Sequence, residues 1–434
     1  MSGDAVVAIV GAGSMQFTQQ VVSDLLRHPV TRDVHLRLMD VDPERLALAE
    51  RLVARLQKET GATGRVEGST DLTATLRDVD FVVHAIQVGG LDATERDFAV
   101  PARFGVRQTI GDTLGIGGIS RSLRTIPAVL RIVDVLREAA PHAWFLNYTN
   151  PMATVMKAVA ETHPDVVAVG LCHSAEHTAR SLARYVEVPF DELEWLSAGV
   201  NHQAWVLRLE HRGQDLYPRL QEKATDPGVF ALDPVRFELL ARFGRFPTES
   251  SEHNAEYVPY FLPWDDEIDR LQIPVGEYLR RSRAGLAKWG RLREQVGEPG
   301  SLLVEPSPEY APRIIRAAVS GEPLVFYGNV PNNGAIPNLP KDAVVEVPCV
   351  VDRRSILPTK VGPLPPGPRA LNQQAINVQT LTVTAVLEQD LGLLRQAAYL
   401  DPMLSTRLRL REIDTLVDEL LAAHRDWLPA GWVR

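Results

Sequence analysis

Cysteine is nearly absent from this chain: Cys172 and Cys349 are the only two among 434 residues. Two thiols in dissimilar settings exclude a disulfide framework and point to a reducing compartment. No apolar run is long enough to span a bilayer. The opening MSGDAVVAIVGAG lacks the basic stretch and apolar core of a secretion signal. Positive charge is also in deficit. A formal net charge of −9 argues against a nucleic-acid partner or an anionic membrane surface. Internal repeats and low-complexity tracts are missing as well. These absences leave a cytoplasmic globular protein, long enough for two or three domains.

What is present begins with a nucleotide-binding pattern. The apolar run Ala5 to Val10 predicts a buried parallel strand, followed by GAGSMQFT and an amphipathic helix. Glycines in such a turn let backbone approach a pyrophosphate at the helix N-terminus. A second strand, Val34 to Met39, ends at Asp40, placed to accept hydrogen bonds from a ribose and to disfavour a 2′-phosphate. Gly11, Gly13, Ser14, Phe17 and Asp40 are therefore the candidate NAD-binding residues. The fingerprint is imperfect, because Gln16 stands where a third glycine is usual. A ligand-free tight turn is the alternative.

Three further clusters follow apolar runs between Leu146 and Trp205: LNYTNPMA, GLCHS and AGVNHQAW. Ligands of open α/β sheets bind beyond the carboxyl ends of the strands. Asn147, Asn150, Cys172, His173, Asn201 and His202 are thereby expected to share one space. Cys172 and His202 together either hold a divalent transition metal or pack as ordinary core residues. The glycine-dense segment Thr109 to Arg121 reads as a loop ahead of a helix over Ser120 to Ala139, either a mobile cover or a connection.

After about residue 190 the pattern changes to strands and helices of mixed order. The expected architecture is a Rossmann-type parallel sheet over residues 1–195, with a mixed α+β substrate and oligomerisation domain over 196–434. Helices are predicted at Pro234 to Phe243 and Ser251 to Leu262. The second carries Glu249, Glu252, His253, Glu256, Tyr257 and Tyr260 on or beside it, as a site or a half-exposed surface. Asp265 to Pro299 reads as charged helix, and GNVPNNGAIPNLP as irregular loop. Cys349, inside VVEVPCVV, reads as core.

VAIVGAGSMQFT, LMDVDPERL, IGDTLGIGG, LNYTNPMA, GLCHS, AGVNHQAW, PTESSEHNAEY and NVPNNGAIPNLP resemble glycoside hydrolase family 4, in the same order and over nearly the whole chain. That family is similar in fold to lactate and malate dehydrogenases, yet hydrolyses glycosides outside the two-carboxylate scheme. The resemblance implies that NAD⁺ oxidises C3 of the sugar and that a base then removes the C2 proton. The aglycone is eliminated, water adds at C1, and the hydride returns. It also implies a divalent metal, usually Mn²⁺, ligated by Cys172 and His202, although a thiolate suits softer ions.

On the same basis Asn147, Asn150 and His202 would contact the sugar, unless the asparagines only cap a helix. Tyr257 would be the C2 base, which requires positive charge beside a phenol of ordinary pKa. His173 either protonates the leaving oxygen or shapes the pocket. The Cys-His-Ser sequence is similar to the α-galactosidase branch, where relatives acting on 6-phosphorylated α-glucosides have Asp after the cysteine. The expected substrate is a small α-galactoside, with α-glucosides and uronides as alternatives, and the expected assembly a homodimer or homotetramer. A net 2-hydroxy-acid dehydrogenase and a non-turning-over sensor are the readings outside hydrolysis.

Overall fold

A computed structural model describes residues 5–432. Its strands are β1 (Val6–Val10), β2 (His35–Met39), β3 (Val66–Ser69), β4 (Phe81–His84), β5 (Trp144–Asn147), β6 (Val167–Leu171), β7 (Leu193–Val200), β8 (Gln203–His211), β9 (Gln214–Asp215), β10 (Leu324–Pro331), β11 (Val344–Val351) and β12 (Ile356–Pro358). They form one sheet in the order β3-β2-β1-β4-β5-β6-β10-β11-β7-β8-β9, with β12 on β11. The first six are parallel, and the remainder pair antiparallel. This is the Rossmann-type order expected of the N-terminal half.

The parallel strands are short and apolar because both faces are covered. Helices Met15–Arg27, Pro43–Thr60 and Tyr310–Ser320 cover one face, burying Leu25, Leu52 and Ile314. Helices Gly115–Ala139 and Pro366–Glu388 cover the other with Ile126, Val133 and Val383. Asp42 caps Pro43–Thr60 by accepting from the Glu44 and Arg45 amides, and Gly61 ends it at φ 67°.

The expected division after residue 195 falls inside β7, and the C-terminal strands extend the same sheet. The join is β10, whose Gly328 and Asn329 pair with Leu171 and Gly170 of β6. GNVP, expected as loop, is thus the second half of β10, because pairing on both sides overrides weak strand propensity.

Three helix expectations need correction. The helix after the glycine-dense segment starts at Gly115, not Ser120. A Cβ on Gly117 would lie 2.3 Å from the Gly111 carbonyl oxygen, so these glycines serve close packing rather than mobility. The helix expected to reach Leu262 stops at Glu256, leaving Tyr257 as its C-cap. Pro259 disfavours helical backbone at Val258 and shortens it. The span Asp265 to Pro299 is likewise two helices, Asp265–Leu271 and Glu277–Gln295, split around Pro274. Among the described residues no helix is long and apolar enough to cross a membrane.

Candidate active site

The end of β1 delivers the nucleotide turn. Gly11 takes φ 90°, and a Cβ there would lie 2.3 Å from the Ala85 carbonyl oxygen. The Gly13 amide donates to Asp40 Oδ2 at 2.8 Å, and the Asp42 amide to Asp40 Oδ1 at 3.0 Å. Each carboxylate oxygen keeps lone-pair capacity for a diol, the role expected of Asp40. Ser14 is the exposed N-cap of Met15–Arg27, whose first turn carries no acid that would repel a phosphate. Phe17 packs edge-on against Tyr148, ring centroids 4.7 Å apart. The donor set fits a dinucleotide without a 2′-phosphate.

Beyond β6 and the β7–β8 turn, Cys172 Sγ lies 3.3 Å from His202 Nε2. Glu249 Oε2 approaches the same nitrogen at 3.6 Å. One ligand atom from each of the three falls within 4.8 Å of the others. His202 and Glu249 both hold left-handed backbone, at φ 64° and 71°. That conformation costs a non-glycine residue on the order of 1–2 kcal/mol, and here it aims two side chains at Cys172.

The hydrogen bonds fix the histidine tautomer. Thr113 Oγ1 donates its only proton to Asp112 Oδ1 at 2.7 Å, so it accepts from His202 Nδ1 at 3.1 Å. In the neutral ring Nδ1 therefore carries the proton, and the Nε2 lone pair is left facing Cys172 and Glu249. Asp112, His202 and His253 form a second close group. All three are buried, however, and Asp112 and His253 are engaged by Asn150 and Ser250. Cys172 and Glu249 are only half-buried, and a catalytic metal needs such an open side. A thiol, an imidazole lone pair and a carboxylate converging there fit a divalent transition metal.

Charge in the pocket is strongly organised. Burial opposes ionisation of Glu249, but His253, His202 and His173 hold its carboxyl down to about 2. Enclosure and the carboxylates of Glu249 and Glu346 push the Cys172 thiol well above its ordinary range. Burial, with Glu256, Asp112 and Glu249, does the same to the Tyr257 phenol, whose hydroxyl lies 3.2 Å from His202 Nδ1. Added positive charge is what each of these two groups lacks.

Glu256, next to the tyrosine, accepts from the amides of Thr109, Ile110 and Gly111 at 2.8–3.1 Å. It ties the segment carrying Asp112 and Thr113 to the helix that carries Tyr257.

The expected sugar contacts separate. Asn150 is half-buried and donates to Asp112 Oδ2 at 3.0 Å, in the pocket wall. Asn147 is fully buried and faces no pocket. Its amide is consumed by His84 Nδ1 at 2.8 Å, the Thr149 backbone and Met152, and it caps no helix. Burial pushes that His84 down to about 4, so it is a neutral partner. His173 is half exposed beside Cys172, its Nδ1 3.8 Å from Glu309 Oε1. Cys349 is core, as expected.

A Rossmann-type sheet with an acid-ended second strand, joined to a thiol–imidazole–carboxylate cluster, defines a dinucleotide fold that has acquired a second chemistry. Residues 6–188 match the model of family 4 glycosyl hydrolase, and residues 197–404 that of its C-terminal domain. The chain belongs to glycosyl hydrolase family 4. An α-galactosidase of Bacillus subtilis is 42% identical over 427 residues, 98% of this chain and 99% of that one. A 6-phospho-α-glucosidase from gut microorganisms, solved with NAD and Mn²⁺, superposes with a TM-score of 0.84 at 23% identity, covering 98% and 99% of the two chains. Malate dehydrogenase from Plasmodium falciparum gives 0.54 at 13% identity, covering 90% and 99%. The dehydrogenase likeness expected from the motifs is therefore a likeness of fold.

Proposed function

We propose that the chain hydrolyses α-galactosides, using NAD⁺ and a divalent metal bound among Cys172, His202 and Glu249. The observation that carries the reading is the convergence of those three side chains beside a buried tyrosine. A simple 2-hydroxy-acid dehydrogenase has no use for it. When bound, NAD⁺ supplies a reversible hydride acceptor for C3 and the metal a Lewis acid at the adjacent oxygens. Glu249 brings an oxygen donor to the Cys–His pair, which makes the set more suitable for Mn²⁺ than thiolate and imidazole alone. The half-exposed positions of Cys172 and Glu249 leave the open side to sugar oxygens.

Within this reading, the Gly11 and Gly13 backbone admits the pyrophosphate and Asp40 receives the ribose hydroxyls. Tyr257 Oη removes the C2 proton, and Asn150 and Asp112 line the sugar. His173, half exposed beside the cysteine, protonates the leaving oxygen. The α-galactoside assignment is supported by the 42% identity to the Bacillus subtilis enzyme and by His173 in place of the aspartate expected for 6-phosphorylated α-glucosides.

A panel of nitrophenyl α- and β-glycosides, with and without phosphate or carboxylate at C6, tests the function with NAD⁺, Mn²⁺ and thiol present. Cleavage of the α-galactoside ahead of the others, without NADH build-up, is expected. NADH accumulating without glycoside cleavage would mean a net oxidoreductase. Asp40→Ala is expected to weaken NAD⁺ binding about tenfold or more and to narrow its preference over NADP⁺, because the carboxylate repels a 2′-phosphate. Fluorescence titration of both nucleotides checks this, and tighter NADP⁺ binding by the unaltered protein would refute it.

A further inference from the structure

Glu346 of β11 is a buried acid with no ion-pair partner among the described residues. It is fully buried, and neither carboxylate oxygen has a hydrogen-bond partner. It stands opposite Asn329 on β10 and Gly199 on β7, and Asn329 stands opposite Gly170 on β6. Residues opposed across neighbouring strands share a face, so these four make one row across the sheet. Met152 and Asn372 fill the space beside the two glycines and close the row. The Asn201 side chain faces the carboxylate, yet neither group completes a well-formed hydrogen bond, and Asn329 Oδ1 is also unpartnered.

A carboxylate withdrawn from water without a donor costs stability, and a fold retains one where it serves something else. Burial pushes the Glu346 carboxyl up to about 8; of the charged groups around it His202 opposes that rise and Glu249 adds to it, with no lysine or arginine among them. Glu346 in turn acts on Cys172. All three are the groups assigned to the metal. In an enclosed region such charges act strongly on one another, and a dication is the species they would jointly attract.

We infer that Glu346 is a positioning residue for the metal cluster, a buried carboxyl without a counter-ion in the sheet row that leads to Cys172 and His202, which raises their affinity for a divalent cation. The inference rests on the metal reading above. It differs in kind from ligation: Glu346 touches neither substrate nor cofactor and acts through the two ligands.

Co²⁺ titration of metal-free protein tests it, read by the near-ultraviolet thiolate-to-cobalt absorption, alongside NAD⁺ affinity and the melting temperature of the metal-free protein. Glu346→Gln keeps the shape and removes the capacity to carry negative charge. It is expected to weaken Co²⁺ binding about tenfold or more, the usual effect of losing a group behind a ligand. NAD⁺ affinity should stay unchanged and the metal-free melting temperature equal or higher. Glu346→Asp, which keeps the charge, should bind Co²⁺ more tightly than Glu346→Gln.

Co²⁺ affinity in Glu346→Gln within about twofold of the unaltered protein would overturn the inference. So would a joint fall of metal affinity, NAD⁺ affinity and melting temperature, which marks a packing role. The opposite order of the Asp and Gln variants would overturn it too. No thiolate–cobalt band in the unaltered protein would remove the metal reading itself, and this inference with it.

Discussion

Cys172→Ser protein is expected to lose its metal and its turnover together while binding NAD⁺ as before. The hydroxyl of serine is a far poorer ligand than a thiolate, and it would leave His202 and Glu249 as the two remaining good ligands of the three. The nucleotide turn stands apart: Gly13 and Asp42 donate to Asp40, Gly11 donates to the Met39 carbonyl and lies against Ala85, and none of these is a member of the cluster. A loss of at least about a thousandfold in rate is expected, the scale of removing a group that makes large transition-state stabilisation possible. Metal analysis after desalting and equilibrium NAD⁺ binding separate the two sites. Full activity in metal-stripped Cys172→Ser would defeat the assignment. Because only a thiolate is a good ligand, oxidation of Cys172 by peroxide is also expected to inactivate the enzyme, and thiol to restore it from the first oxidation step.

The second large effect concerns a carbon–hydrogen bond. With Tyr257 removing the C2 proton before water adds at C1, product formed in D₂O carries deuterium at C2. Hydrolases built on two carboxylates break no such bond. Tyr257→Phe is expected to suppress exchange and cleavage together, by about a hundredfold or more, since both pass through one deprotonation. The structure adds a condition. Burial and three carboxylates hold the phenol protonated in the metal-free protein, so exchange should vanish when metal is withheld even with NAD⁺ saturating. Mass spectrometry and proton NMR of the released sugar read the label. Cleavage without NAD⁺, with C2 fully protonated, would end this reading.

The nucleotide half was legible because its signals are local: an apolar strand, a GxG turn and an acid closing the next strand occur within 35 residues of chain. Cys172 and His202 were legible for a similar reason, each ending an apolar run. What escaped is what long-range pairing creates. Glu249 becomes a ligand candidate only through left-handed backbone and the approach of β8, neither encoded in its neighbours. Asp112 and Thr113 sit in a glycine-rich segment that reads as either a mobile cover or a connection, and Glu256 pins it from 145 residues away. Asn147 shows the reverse error: the end of a strand suggested a pocket, and His84, directly opposite on the neighbouring β4, claimed the side chain instead. Glu346 did leave a trace, as a lone acid in VVEVPCVV. A charge inside a strand buried on both faces asks for a partner, and that question was available from the sequence.

The antiparallel insertion of β10 beside β6 has a meaning for heredity. The N-terminal and C-terminal halves share a row of backbone hydrogen bonds, so neither is a portable cassette. Cut after residue 195, the first half would present the bare edge of β6, an adhesive surface that proteins otherwise shield. New sugar preferences in this lineage therefore have to arise by changing residues around a fixed frame, not by trading whole modules between ancestors.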